Sequence, residues 1–463
     1  MAGALIFWGV GIAIVLWVAW TVTIQDYDAF TLPAMGLGAI VAGLVILRWP
    51  YLGLVATAAS MPVQLVLPTL PGVGSVVVLL GLLTIGAVAF ANALGELPRP
   101  RLNEVHVCSG LFVLWMLVSN PAAALLGERM WAATYVQLWF LLLMGGWILE
   151  QEGKHRVLAW SFFVTATASV VIGFTAEGMW PPSAVALANR LSGPSGTSNE
   201  QAVYLVCAVA FAVFVARTGH GGGQRRRSAL VALMVAVCIG GFLATLSRTG
   251  FAAAIAVAIL LCWREVVRAR TLRPLFFLAF GAGLGAVLMP SQYVIWVVES
   301  GWNAIFQGLD TMGTRYVFWQ VGMDIWLDSP VSGAGIGSFN EVASNEVVAQ
   351  LGIEKTGRSG HNSYVNVLSE TGSVGLVLFT AFQAAALRGL WRGIPGWPRA
   401  LSNAWLVILA ALMVSGLAHG YQYNKLLWLA AGIGSLGVGR TSHRGVPTLA
   451  KESGDQDAEG RLQ

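Results

Sequence analysis

His361 opens the run HNSYVNVLSETG, which closes at Gly372 just before a new apolar stretch. An imidazole titrates near working pH and can take a proton from a sugar hydroxyl. Two more polar islands, SRTG at 247–250 and GTRYVFWQVGMDIWLDSPVSGAGIGSFN at 313–340, fall between apolar stretches on the same predicted side. Together they point to chemistry at a membrane face, on a lipid-borne substrate.

Each island carries an arginine. Arg248 is wedged between two apolar runs, where a charge is costly unless it meets water, a partner or a substrate. A snorkelling anchor is its bland reading. Arg315 opens an aromatic helix in which Trp319, Met323 and Trp326 recur on one face. An ion pair to Asp310, Asp324 or Asp328 is its plain alternative. Guanidinium suits diphosphate, since its planar donors bind phosphate oxygens in pairs and stay charged. Glu370 follows His361 by nine residues, which a continuous helix would place on roughly the opposite face, so it is the weaker candidate. SGAGIGSFN allows close backbone approach to a phosphate, although without a strand–helix context a simple turn is favoured. The chain has no HExxH, no Cys/His cluster and no P-loop, and its polar islands hold no DxD that would bind a metal with nucleotide diphosphate. A soluble nucleotide-sugar donor is therefore disfavoured, and neither metal nor cofactor is expected. A lipid diphosphate, its leaving group stabilised by two arginines, fits better.

The elements that must position these groups are membrane helices. Of 463 residues 56% are hydrophobic and 11% charged, against about 25% charged in soluble domains. Apolar runs of bilayer length recur from residue 4 to 439, predicting an all-α, polytopic membrane protein of about 12–14 transmembrane helices. The run at 51–70, with Pro62 and Pro68, and the short run at 249–263 are the weakest of these spans. The first run lacks a basic leader and a cleavage site, and reads as a retained helix. Setting both termini in the cytoplasm leaves only Arg129, Arg190, Arg248, Arg315, Lys355, Arg358 and Lys425 outside, with all the rest of the 27 Lys and Arg inside. That bias also accounts for the net charge of +5 without nucleic acid. Cys108, Cys207, Cys238 and Cys262 sit in apolar segments as inert thiols. His106 and His419 border helices, where a structural role is the default. The predicted organisation is N-terminal transmembrane helices over 1–175, an outer loop at 176–199 and transmembrane helices with SRTG over 200–291. A large outer loop follows at 292–371, then C-terminal transmembrane helices over 372–439 and a polar cytoplasmic tail from 440 to 463.

SRTG, then G-x-R with its aromatic helix and SPVSGAGIGSFN, then HNSYVNVLSETGSVGL (361–376) resemble the core of the O-antigen ligase and polymerase family. The resemblance covers about 200–380 and implies a GT-C-like fold with a long periplasmic loop. It also implies metal-independent transfer of a glycan from undecaprenyl diphosphate at the periplasmic face of the bacterial inner membrane, in polysaccharide biosynthesis. Ligases of that family use lipid A-core as acceptor, in lipopolysaccharide biosynthesis, and polymerases use another lipid-linked repeat unit. By the resemblance, Arg248 and Arg315 hold the donor diphosphate and His361 orients or deprotonates the acceptor hydroxyl. Asn362 and Glu370 would support it, and RLSGPSGTSNEQA (190–202) adds Arg190 and Asn199 as substrate-binding contributors. The long outer loop and the Arg–His pattern lean towards ligase. A transporter of lipid-linked glycan is the rival, but it calls for internal repeats and midplane charges, which the chain does not display.

Overall fold

The computed structural model describes residues 31–67, 69–70, 74–96, 102–119, 129–149, 154–175, 191, 193–217, 224–245, 247–265, 309–340, 342 and 361–438. In chain order the helices are α1 (Thr31–Arg48), α2 (Pro50–Ser60), α3 (Val76–Ala93), α4 (Glu104–Ser119), α5 (Arg129–Ile148), α6 (Lys154–Thr175) and α7 (Ser198–Arg217). They continue as α8 (Gln224–Ala244), α9 (Arg248–Glu265), α10 (Leu309–Asp328), α11 (Ser363–Arg392), α12 (Arg399–Gly416) and α13 (Lys425–Ser435). A two-residue ladder, Thr69–Leu70 against Gly74–Ser75, is the extended structure among the described residues.

Four helices, α3, α6, α11 and α12, are long and apolar enough to cross a membrane, and shorter apolar helices accompany them. The chain is thus a multi-pass helical membrane protein. Val107, Leu111, Leu114 and Val118 on α4 are all exposed and recur along one face, as Ile40, Leu44 and Leu47 do on α1. Apolar stripes of this kind are stable in lipid rather than water. The run at 51–70 does not form one span. α2 has 11 residues, about 17 Å of helix against a hydrocarbon core of about 30 Å. It passes into a 3₁₀ turn at Met61–Val63, since Pro62 has no N–H to continue the ladder.

α11 is the centre of the bundle, packing on α4, α10, α12 and α13. Phe112 and Phe379 join α4 to α11 with ring centroids 5.3 Å apart, and Phe382 and Trp428 join α11 to α13 at 5.1 Å. Gly432 of α13 lies directly on the backbone of Leu142 in α5, where any side chain would overlap its carbonyl. Packing through bare backbone is how helices associate tightly without a hydrophobic driving force.

The first turns of α11 come from residues expected in the outer loop. Helical structure begins at Ser363 and runs into the apolar segment through a break at Gly372 (φ 68°, ψ −171°). That conformation is essentially restricted to glycine. The Gly-rich turn is folded onto the break, with Ala334 and Gly335 N–H donating to the carbonyls of Ser369 and Glu370 (both 2.9 Å) and Ser373 N–H to Pro330 O (2.9 Å). Trp326 Nε1 adds a bond to Ser373 Oγ at 3.0 Å. Those amides are occupied by helix carbonyls, so the turn serves packing. A Cβ at Gly372 would collide with the backbone of Val331. Gly372→Ala is expected to cost about 3 kcal/mol or more, read as a lower unfolding midpoint in detergent; an unchanged midpoint would show that the break is not required.

Candidate functional site

The SRTG motif is the start of α9. Ser247 caps it, its Oγ accepting from Gly250 N–H (3.0 Å) and donating to Asn199 Oδ1 (2.7 Å). This one hydroxyl fixes the first turn of α9 to the first turn of α7. It leaves Arg248, the first residue of α9, exposed at the helix mouth. Asn199 also accepts, through its backbone carbonyl, from the Tyr421 hydroxyl at 3.1 Å. The α12–α13 connection therefore lies against the same spot.

Arg315, on α10, is half-buried beside these groups. Burial first, and then the charge of Arg248, hold its guanidinium below the ordinary value. Two arginines within electrostatic reach of each other form a dication, a natural seat for a diphosphate. Among the described residues no ion pair ties Arg315 to Asp324 or Asp328, and the Asp310 side chain lies outside the described residues.

His361 stands one residue before the cap of α11. Asn362 is that cap: its Oδ1 accepts from Tyr364 N–H (2.9 Å) and Val365 N–H (3.2 Å). Its side-chain carbonyl is thereby engaged in starting the helix that follows His361. His361 has φ 48°, and is the one positive-φ residue other than glycine among the described residues. The left-handed region costs a side-chain-bearing residue about 1–2 kcal/mol. Such a conformation persists where the surroundings over-determine it. Here the ring meets Phe318 of α10, edge to face at 5.9 Å, and His419, stacked at 5.9 Å and 29°.

His419 is the residue that sequence reasoning set aside. The signal was HGYQYN between the last two apolar runs, a polar aromatic cluster on the same predicted side as Arg248 and His361. His419 lies in the loop after α12. Burial, then His361 and Arg315, bring its pKa from 6.5 down to about 3. The folded protein therefore refuses a proton that the unfolded chain accepts below about pH 6.5. Its contribution to stability is complete above that pH and falls by about 1.4 kcal/mol per pH unit as pH drops towards 3. Unfolding midpoints measured from pH 7 to 4 should fall more steeply for the wild type than for His419→Phe; parallel curves would show that His419 titrates normally.

Glu370 is not joined to His361 by any bond described above. It lies about two turns into α11, 3% exposed. Its electrostatic neighbours are Tyr135 and Tyr423, where α5 meets the α12–α13 connection. Arg190 lies outside the described residues. The structure thus gathers Arg248, Arg315 and His361, adds His419 and Tyr421, and links Asn199 through Ser247.

No curated protein matches this chain. A family model does, and its limits enclose all three groups singled out from the sequence: residues 229–380, with Arg248, Arg315 and His361 among them, match the O-antigen ligase family.

Proposed function

We propose that this chain transfers a glycan from undecaprenyl diphosphate to an acceptor hydroxyl, as an O-antigen ligase whose acceptor is lipid A-core. The observation that carries the reading is the adjacency of the Arg248–Arg315 dication to the His361–His419 pair. One end suits a departing diphosphate and the other an entering hydroxyl. The acceptor oxygen attacks the anomeric carbon, the carbon–oxygen bond to the diphosphate breaks with inversion, and His361 takes the hydroxyl proton. Arg248 and Arg315 stabilise the charge growing on the leaving diphosphate, the task a divalent metal has in nucleotide-sugar transferases. Asn362 supports this by fixing the start of α11. Asn199 and Arg190 would line the donor side, and Glu370 would act from the bundle interior.

In this reading the bundle is GT-C-like, both termini are cytoplasmic, and the dication faces the periplasm at the bacterial inner membrane. The charge bias of the connections supports that orientation.

The test is transfer from purified undecaprenyl-diphosphate-linked glycan in detergent, with lipid A-core and a second lipid-linked repeat unit as separate acceptors. Product on lipid A-core is the expected result. Lengthened lipid-linked glycan would make the protein a polymerase using the same groups. Failure with both acceptors would overturn the proposed function and favour transport of the lipid-linked glycan.

A further inference from the structure

Resting on that transferase reading, we propose that His419 is a positioning residue, its ring forming the wall that holds the His361 imidazole at the acceptor side of the site. His419 lies outside the stretch that matches the family model. The loop that carries it is bonded directly to the start of α11. The Ser363 hydroxyl donates to His419 O at 2.9 Å and accepts from Tyr421 N–H at 2.6 Å. One side chain two positions after His361 therefore fixes the loop backbone on both sides of Gly420. Tyr421 extends the clamp to Asn199 and, through Ser247, to the mouth of α9.

The result is a meeting of three rings from three parts of the chain, His361 touching Phe318 edge to face and stacking on His419. The strained backbone of His361 leaves its side chain dependent on those neighbours. His419 feels both His361 and Arg315, so it stands beside the proton-accepting group and the donor-side cation together. An uncharged ring there neither repels the imidazolium that forms on His361 nor competes with Arg315 for phosphate. Its Nδ1 is buried with no hydrogen-bond partner, so the face of the ring, rather than that nitrogen, is what His361 meets.

The variants that separate these features are His419→Ala, which removes the ring, and His419→Phe, which keeps an uncharged ring and discards the nitrogens. His419→Ala should lower kcat by about 10–10²-fold, the scale of a misplaced catalytic group, with the KM for the lipid-diphosphate donor unchanged. His419→Phe should stay within about threefold of wild type. A wild-type kcat for His419→Ala, or a Phe variant as poor as the Ala variant, overturns the proposal. So does a loss in His419→Ala that falls equally on kcat and donor KM. The second measurement does not depend on transfer. Diethyl pyrocarbonate modification of His361, followed by peptide mass spectrometry, should be faster in His419→Ala than in wild type and unchanged in His419→Phe. That labelling pattern in a protein with no transfer to any acceptor would sink the transferase reading and leave the ring contact standing. Normal transfer with unaltered labelling in His419→Ala would do the reverse.

Discussion

Transfer by the Arg315→Ala protein is expected to fall about 10²–10³-fold, the loss seen when one preorganised charge stabiliser is removed from a developing anion. Arg315 is half-buried, so its charge acts across less water than that of the exposed Arg248. The same burial and the neighbouring Arg248 already push its guanidinium below the ordinary value. Without an anion the two cations repel, and placing a diphosphate between them relieves that repulsion. Folding should therefore not suffer in Arg315→Ala, because the substitution removes a like-charge interaction with Arg248; its unfolding midpoint should equal or exceed that of wild type. Activity and stability moving in opposite directions would be the mark of a functional charge. Arg315→Lys keeps the charge but not the planar pair of donors, and should recover only part of the loss. Transfer by Arg315→Ala at a tenth of the wild-type rate or better would remove Arg315 from the donor site.

The three groups that the structure gathers were visible in the sequence because each interrupts an otherwise apolar chain. A charge or imidazole beside a membrane span is costly enough to demand a reason, and the alternation expected of the connections assigns all three to one predicted side. What local sequence could not display was the partner of each group. His419 borders an ordinary-looking apolar run, and its stack on His361 depends on where α12 ends relative to the start of α11. Ser247 and Asn199 look like simple caps until the hydroxyl of one meets the amide oxygen of the other across two helices. The break at Gly372 is likewise non-local. It is held by the Ala334 and Gly335 amides of a turn whose helix partners, Ser369 and Glu370, come 35 residues later. Glu370 illustrates the same limit from the other direction. Its spacing placed it away from His361 on a helix, whereas its tyrosine neighbours come from α5 and the α12–α13 loop.

His361→Ala is expected to lower transfer by about 10²–10⁴-fold if the imidazole is the base that takes the acceptor proton. The structure allows a sharper form of the test than activity alone. His361 precedes the cap of α11, while the bonds that start the helix belong to Asn362, whose Oδ1 accepts from Tyr364 and Val365 N–H. Removing the imidazole therefore breaks none of them. Alanine keeps the same backbone penalty at φ 48° and gives up the ring contacts with Phe318 and His419, so the Ala protein should unfold below the wild-type midpoint, and His361→Gly should unfold slightly later than His361→Ala by relieving that strain. Donor affinity, which the proposed function assigns to Arg248 and Arg315, should be preserved in both variants. Combining His361→Ala with Arg315→Ala should cost less than the product of the single losses, because both groups serve one transition state. A folded His361→Ala protein that binds donor and transfers glycan at a wild-type rate would end the base assignment. It would leave proton removal to solvent or to another side chain in the cluster, with the dication still accounting for departure of the diphosphate.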